Sequence, residues 1–319
     1  MRAWIRDWLV RYGTVLALVV LGVGFALAAD NFADPYNLLN ILKQISFLCL
    51  IGGGFTVALM AGELDLSVAS IASLASVCCA ALLHGDSIWP LAVAAGLGLG
   101  VGLGAVNGLC VVALKIPSLI TTLAVATIAE GLSFLITGGV AFVGRLDSTF
   151  LALGRGRPGG VPAPVLWLLA ALLLMQFFIK QTRTGTHLVC TGEAEEGARL
   201  AGIATHRIKV LALALSGFWA AFTGVLLTSS LSSASPTIAG DYLMTGIAAV
   251  LLGMTTVEPG KPNLPGTLVG ALIIGVLGNG LTLLGAQYYV QDIVLGLIIL
   301  ASVSISSSQL GRAAFGAPR

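Results

Sequence analysis

Two carboxylates stand inside a strongly apolar part of this sequence. The stretch GELDLSVAS, residues 62–70, places Glu63 and Asp65 between the apolar runs IGGGFTVALMA and IASLASVCCAALL. Acidic side chains at membrane depth are costly, so they mark ion pathways, ligand contacts or other functional positions. Because Asp65 directly precedes an apolar run, and acids are favourable at the start of a helix, we expect both residues to cap the following helix. Direct contact with a transported ligand is the alternative.

Further polar side chains lie within apolar runs and are candidates for a pathway across the membrane. Glu130, Asp241 and Asp292 are acidic, and Asp292 lies near the outer end of the last run, at its start, where solvent can reach it. Asn107 and Asn279 are uncharged, and such residues often tie membrane helices together by hydrogen bonds. We take the following as candidate pathway residues: Asp65, Asn107, Glu130 and Asn279.

The sequence contains no nucleotide-binding loop of its own. The stretch GMTTVEPGKPN, residues 253–263, comes nearest, but Thr255 stands where a P-loop needs glycine and Pro262 where it needs Ser or Thr. No Ser-His-Asp arrangement and no metal-ligand spacing of the five Cys and three His is present. We therefore predict no catalytic residues, no metal and no cofactor, so a transport protein of this sequence must draw its energy from elsewhere.

Glycines in the stretch GLGLGVGLG, residues 96–104, indicate helix packing. Gly100, Gly104 and Gly108 recur every four residues, which places them on one face of a helix. Small residues on one face let membrane helices approach closely. A dinucleotide-binding loop is excluded because no strand–helix context surrounds the stretch.

Composition defines the elements that must position these residues. The chain has 319 residues, of which 57% are hydrophobic and only 9% charged, and its mean hydropathy is +1.00. A soluble domain carries about 25% charged residues. Continuous apolar runs predict helices rather than barrel strands. We predict an all-α, polytopic integral membrane protein with a single domain, 1–319, whose net charge of +2 gives no reason to expect nucleic acid.

Ten apolar runs predict about ten transmembrane helices. They lie near 13–29, 45–61, 66–83, 89–113, 117–137, 162–179, 208–229, 243–254, 264–284 and 289–306. The eighth is short, so we expect either a broken helix or an extension into the polar segment before it. The boundary between the second and third stays open, because the GELD segment could lie within the membrane.

Basic residues predict the orientation. With a cytoplasmic N-terminus and ten crossings, 12 of the 16 Lys and Arg residues fall on the cytoplasmic side. Those residues are Arg2, Arg6, Arg11, Lys115, Lys180, Arg183, Arg199, Arg207, Lys209, Lys261, Arg312 and Arg319. The outer side holds Lys43, Arg145, Arg155 and Arg157. The positive-inside rule therefore predicts that both termini lie in the cytoplasm.

The longest inner loop, residues 180–209, contains a candidate docking helix. In EAEEGARLA, residues 193–201, three acids occupy the first turn and Arg199 the last, as the helix dipole favours, and Gly202 follows as a terminating residue. We expect alanines at positions 194, 198 and 201 to form a face that docks on a cytoplasmic protein. An amphipathic helix on the lipid surface is the alternative, although the acids are unfavourable beside anionic headgroups.

Four stretches together resemble one known family. GELDLSVAS resembles the family signature GGIDLSVGS, and residues 106–139, 192–203 and 232–285 resemble its later blocks in the same order. The chain therefore resembles the permease subunits of bacterial ATP-binding-cassette (ABC) importers for monosaccharides, the ribose/xylose/galactoside branch. It departs from that pattern at Glu130, where the family usually has Arg.

The resemblance implies a function and a set of partners. It implies a multi-pass permease of the bacterial inner membrane that pairs with a second permease copy, as a homo- or heterodimer. It also implies a separate ATPase subunit, and a periplasmic sugar-binding protein that delivers a monosaccharide or related polyol. Residues 192–203 would be the coupling helix. The ATPase-coupling residues would be Glu193, Glu195, Glu196, Arg199, Leu200 and Gly202.

Two other functions are compatible with the residues alone. An ion-coupled secondary transporter would use Asp65 and Glu130 as a proton or sodium relay. A passive channel or a structural membrane protein would have no use for an acidic inner helix.

Overall fold

The computed structural model describes residues 2–144 and 146–315, and side chains within 13–144 and 146–302. Six basic residues used for the orientation lie outside the described side chains: Arg2, Arg6, Arg11, Arg145, Arg312 and Arg319. The regular secondary structure of the described chain consists of α-helices, a short 3₁₀ turn and one pair of strands, β1 (Phe142–Val143) and β2 (Ser233–Ala234). The helices are α1 (Arg2–Ala28), α2 (Pro35–Met60), α3 (Val68–His84), α4 (Trp89–Ala113), α5 (Ser118–Thr137), α6 (Ser148–Arg155), α7 (Ala163–Gln181), α8 (Arg183–Glu193), α9 (Glu195–Leu200), α10 (Thr205–Leu231), α11 (Tyr242–Gly253), α12 (Leu264–Leu283) and α13 (Tyr288–Phe315).

Six of the described helices are long and apolar enough to cross a membrane: α2, α4, α5, α7, α10 and α12. Shorter apolar stretches occupy Gly13–Ala28, Val68–His84, Tyr242–Gly253 and Tyr288–Ser302. The all-α, polytopic membrane architecture is therefore confirmed. The number of crossings and the orientation remain predictions.

The centre of the molecule is formed by α2 and α10. Every residue of α2 from Ile45 to Met60 is buried, as expected for a helix that is apolar on all sides. Asp34 caps this helix by accepting the backbone N–H of Tyr36 at 2.7 Å, and Pro35 occupies the first turn. Helix α10 packs against α2, α3 and α4. The loops at the ends of α2 and α10 are thereby held in place by a rigid core.

The glycine face of α4 packs on α10, as predicted. A Cβ atom at Gly100 would overlap the carbonyl oxygen of Gly217, and a Cβ at Gly104 would overlap that of Leu213. Gly102, on the opposite side of α4, has nothing within 4 Å of such an atom. The two backbones therefore approach as closely as small residues allow.

The connecting segments gather at two ends of the bundle. At one end, the backbone N–H of Leu64 donates to Ser118 at the start of α5. Lys180, at the end of α7, pairs with Glu258 in the α11–α12 loop on this side. At the other end, β1 and β2 pair in antiparallel register, with Phe142 opposite Ala234.

The eighth apolar run forms only a short helix. The 12 residues of α11 extend about 18 Å at 1.5 Å per residue, less than the roughly 30 Å of a bilayer core. The segment before it, residues 235–241, is not helical, and Ala239 within it is buried and donates its N–H to Ser73 of α3. The hydrogen bond to Ser73 satisfies this part of the non-helical backbone. The eighth run therefore forms a short helix that does not extend into the polar segment before it.

Candidate functional site

The GELD segment is a buried loop between α2 and α3. Helix α2 ends at Met60, and Gly62, two residues later, has a φ of 81°, a left-handed conformation that favours glycine. Its N–H and that of Glu63 close the last turn on the carbonyls of Leu59 and Ala58. We name residues 61–67 the signature loop. Five of its seven residues are buried, so most of the loop faces neighbouring helices rather than solvent.

Asp65 stabilises the turn that leads into α3. Its Oδ1 accepts the backbone N–H of Ser67 at 3.0 Å and also the Ser67 hydroxyl. Helix α3 begins only at Val68, so the carboxylate supports the approach to the helix rather than its first helical turn. The capping role expected for Asp65 therefore takes the form of a turn just before the helix.

Asp65 and Asn107 share one buried hydrogen-bond network. The Asn107 Nδ2 of α4 donates to the Ser67 hydroxyl at 2.8 Å, and the Ser216 hydroxyl of α10 lies beside the Asp65 carboxylate. Among the described residues, no partner within hydrogen-bond geometry meets Asp65 Oδ2, Asn107 Oδ1 or Ser216 Oγ. Buried polar atoms without partners are rare, and this network joins the signature loop to α4 and α10.

Glu63 does not cap α3, and that expectation is wrong. Its Oε1 forms an ion pair of 2.8 Å with Nζ of Lys209, near the start of α10, and the same ammonium group pairs at 2.8 Å with Oε2 of Glu195. The Glu63 side chain is 6% exposed and that of Lys209 17%. A charge buried to this degree needs a partner, and here the partner comes from another helix. We name Glu63, Lys209 and Glu195 the charge bridge.

The inner segment forms two helices where one was predicted. Helix α8 ends at Glu193, and Ala194 has the extended angles φ −155° and ψ 82° before α9 starts at Glu195. Glu193 therefore lies in the last turn of α8, not in the first turn of the docking helix. It accepts a hydrogen bond from Lys261 of the α11–α12 loop, which raises the pKa of that lysine.

Helix α9 ends as the sequence predicted. Gly202 has φ 83° and donates its N–H to the Arg199 carbonyl at 3.0 Å, and Ile203 donates to Ala198 at 3.0 Å. These two bonds form a Schellman motif, which requires a left-handed residue at the position of Gly202. The motif fixes where α9 stops and how the chain turns into α10.

The three predicted alanines do not form one exposed face of α9. Ala198 is buried against the rest of the chain, whereas Ala194 and Ala201 are exposed. Leu200 is 84% exposed instead, and it is flanked by Glu196 and Arg199, which pair with each other at 2.8 Å. An alanine at 3–4 spacing packs equally well inward, so the sequence could not decide which face would be covered.

The four pathway candidates do not meet in one place. Asn279 of α12 exchanges two side-chain hydrogen bonds of 2.9 Å with Asn37 of α2, so it ties two helices together. Glu130 is exposed on α5, away from the buried Asp65–Asn107 network. Asp241 immediately precedes α11 and Asp292 lies on α13, and both are exposed.

Lys209 is the residue of the charge bridge that the sequence patterns do not single out. The charge pattern identifies it only as one of the inner basic residues. The available signal is a lysine at the fifth position of a long apolar helix.

Comparison with known proteins identifies the class of this chain. It belongs to the family described as "Branched-chain amino acid transport system / permease component", which matches residues 37–303. The predicted resemblance to importer permeases is therefore confirmed, and the chain is a transport permease rather than an enzyme.

Individual relatives match over almost the whole chain. The ribose import permease protein of Escherichia coli (strain K12) is 35% identical over 313 residues, 97% of each chain. That of Bacillus subtilis (strain 168) is 35% identical over 92% of this chain and 91% of its own. The L-arabinose transport system permease protein of E. coli (strain K12) is 36% identical over 92% and 89%. No solved structure matches the chain.

Proposed function

We propose that this protein is the membrane permease subunit of an ABC importer that moves a monosaccharide into the bacterial cytoplasm. The relatives are named for ribose and L-arabinose, both five-carbon sugars, so a pentose is the first substrate class to test. ATP hydrolysis takes place in separate subunits. The protein is located in the bacterial inner membrane.

The exposed surface of α9 is the observation that carries this proposal. A helix of six residues does not stabilise itself, but α9 is fixed by its Schellman turn, by buried Ala198 and by the Glu195–Lys209 ion pair. It thereby presents Leu200, Glu196 and Arg199 on a rigid support. An exposed leucine within a ring of charges is suited to a protein partner, and the ATPase subunit is the partner that an importer requires.

Ten crossings with both termini in the cytoplasm fit the arrangement of the loops. The segments predicted to be inner, including the signature loop and residues 182–204 and 254–263, contact one another at one end of the bundle. The basic residues of the same segments support a cytoplasmic position for this end. The β1–β2 pair and α6 then face the periplasm, where a sugar-binding protein would dock.

The exposed position of Glu130 supports pairing of this chain with a second permease copy. It is exposed near the middle of α5, a helix whose other exposed residues include Ile128, Leu132 and Leu135. A carboxylate at that depth is costly in lipid, and it is stable at a protein interface or along a water-filled pathway. A second permease copy that covers this face would create both the protein interface and the pathway beside Glu130.

Uptake under controlled energy supply tests the importer against the ion-coupled alternative. Cells in which this chain is the only route for labelled D-ribose or L-arabinose are treated with an uncoupler while ATP is maintained. Continued uptake is expected, because ATP supplies the energy. Uptake that collapses with the ion gradients would overturn the proposal and return attention to Asp65 and Glu130.

A further inference from the structure

The charge bridge spans from the protein surface to the core. Glu195 on α9 has a side chain that is 49% exposed, whereas the side chains of Lys209 and Glu63 are 17% and 6% exposed. Both carboxylates approach the single ammonium group at 2.8 Å. A lysine ammonium carries three N–H donors, so it can hold both acids at once.

The buried position of Glu63 makes the bridge sensitive to movement of α9. Within the described part of the chain, Lys209 is the only cation that forms an ion pair with Glu63. Removing a partner from a buried charge is strongly unfavourable, so Glu63 holds Lys209 in place. A displacement of α9 must then either pull on Lys209 or break its bond to Glu195.

The signature loop contacts three helices, α3, α4 and α5. Its backbone N–H groups at Leu64 and Leu66 donate to the hydroxyls of Ser118 and Thr122 of α5, each at 3.1 Å. Its Ser67 hydroxyl accepts from Asn107 of α4, and α3 starts directly after it. The loop therefore cannot shift without changing hydrogen bonds to α4 and α5.

A second contact joins the same two segments independently of charge. Gly192, near the end of α8, packs so closely on the signature loop that a Cβ there would overlap the Met60 carbonyl oxygen and lie 2.9 Å from the Gly62 nitrogen. Only glycine permits this approach of one backbone to the other. The inner helices thus contact the loop through both packing and an ion pair.

We propose that Lys209 is a positioning residue that transmits movement of α9 to the signature loop and, through it, to α4 and α5. This inference rests on the proposed function, in which α9 docks on the ATPase. It adds a specific route by which nucleotide binding outside the membrane reaches the helices within it. Coupling of this kind requires an element that both sites bias, and the charge bridge is that element.

Hydrogen–deuterium exchange on the native complex tests this route. The complex is purified through this chain, with its ATPase, and exchange is followed with and without a non-hydrolysable ATP analogue. In the wild type we expect the analogue to change exchange in residues 183–204 and also in residues 61–67, by roughly 2- to 30-fold. With Glu195→Gln or Lys209→Met, the change should stay in 183–204 and vanish in 61–67.

Glu258→Gln is the matched control. The side chain of Glu258 is 43% exposed and that of Glu195 is 49% exposed. Each accepts a hydrogen bond from a lysine, Glu258 from Lys180 at 2.9 Å and Glu195 from Lys209 at 2.8 Å. Lys180, however, does not pair with the signature loop. Glu258→Gln should retain the wild-type response in 61–67. Lys209→Arg should restore most of the response, and Glu195→Gln in the Lys209→Met background should add no further loss.

The outcomes separate this inference from the proposed function. A response in 61–67 that persists in Glu195→Gln and Lys209→Met, or that is absent from the wild type while 183–204 responds, overturns the transmission route. Loss of the ATPase from the Glu195→Gln complex would make Glu195 a docking residue and would also overturn it. A wild-type complex that contains no ATPase overturns the proposed function itself. Because Glu195 lies at the surface, its variant decides the matter even if Lys209→Met fails to fold.

Discussion

The contact between α4 and α10 allows a sharp test of the packing, with Gly104→Ala as the perturbation and Gly102→Ala as its control. The two glycines are two residues apart on the same helix and face opposite ways. A Cβ at Gly104 would lie 2.9 Å from Cα of Ala214 and 3.0 Å from the carbonyl carbon of Leu213, whereas a Cβ at Gly102 meets nothing within 4 Å. Both variants add the same methyl group to the same helix.

The structure gives opposite signs for the two variants. At Gly104 the obstructing atoms belong to the backbone of α10, so no side chain can turn aside and the helices must separate. Overpacking of this kind costs about 1–3 kcal/mol. At Gly102 alanine only removes the helix penalty of glycine, which is worth up to about 1 kcal/mol in favour of folding. The free energies of unfolding should therefore differ by about 1–4 kcal/mol.

Unfolding of the detergent-solubilised protein, followed by far-UV circular dichroism as SDS is titrated into mild detergent, measures this difference. Gly104→Ala should unfold at a lower SDS fraction than the wild type, and Gly102→Ala at the same or a higher one. Equal unfolding of the two variants would refute the close α4–α10 packing on which the position of Asn107 depends.

Three further predictions concern the surface, the helix tie and the outer loop. The double variant Glu196→Arg and Arg199→Glu keeps the ion pair within α9 but inverts the charges that this surface presents. Sugar uptake per ATP hydrolysed should fall while membrane insertion is normal. Normal transport would exclude docking through this face. Asn279→Ala should lower the free energy of unfolding by about 1 kcal/mol. Asn37 also donates to the Phe32 carbonyl, so Asn37→Ala should cost more, and a double-mutant cycle should give a coupling energy of about 1 kcal/mol between the two amides; no coupling would refute the tie. Asp147 accepts the N–H groups of Phe150 and Thr149, which lowers the pKa of its carboxyl. Its stabilisation of α6 is therefore present above the unfolded-state pKa near 3.9 and is lost as the pH falls through the lowered value. Hydrogen exchange of the amides in 148–155 should rise at that low pH and also in Asp147→Ala, and an unchanged rate would refute the cap.

The sequence was sufficient for features that depend on local patterns. Apolar runs located the long helices, because length and hydropathy determine which segments can lie in a bilayer. Spacing every four residues identified the glycine face of α4, and the acids followed by Arg199 and Gly202 identified α9 and its end. In each case the signal and the structure involve residues within a few turns of one another.

Features that depend on packing between distant segments could not be predicted. The partner of Glu63 is Lys209, which follows it by more than four helices, and nothing near either residue specifies the other. The direction of Ala198 depends on which face the remaining chain covers. The break at Ala194 separates two helices, and Gly192 in the last turn of α8 is the nearest glycine, but it does not show that the chain changes direction at Ala194.

Purification of this chain from native membranes in mild detergent, followed by identification of the chains that accompany it, tests the central claim most directly. We expect a P-loop ATPase in stoichiometric amount, and a reduced amount with the charge-exchanged α9 surface. An intact, folded permease that brings no ATPase with it would contradict the proposed importer function and would favour an ion-coupled carrier.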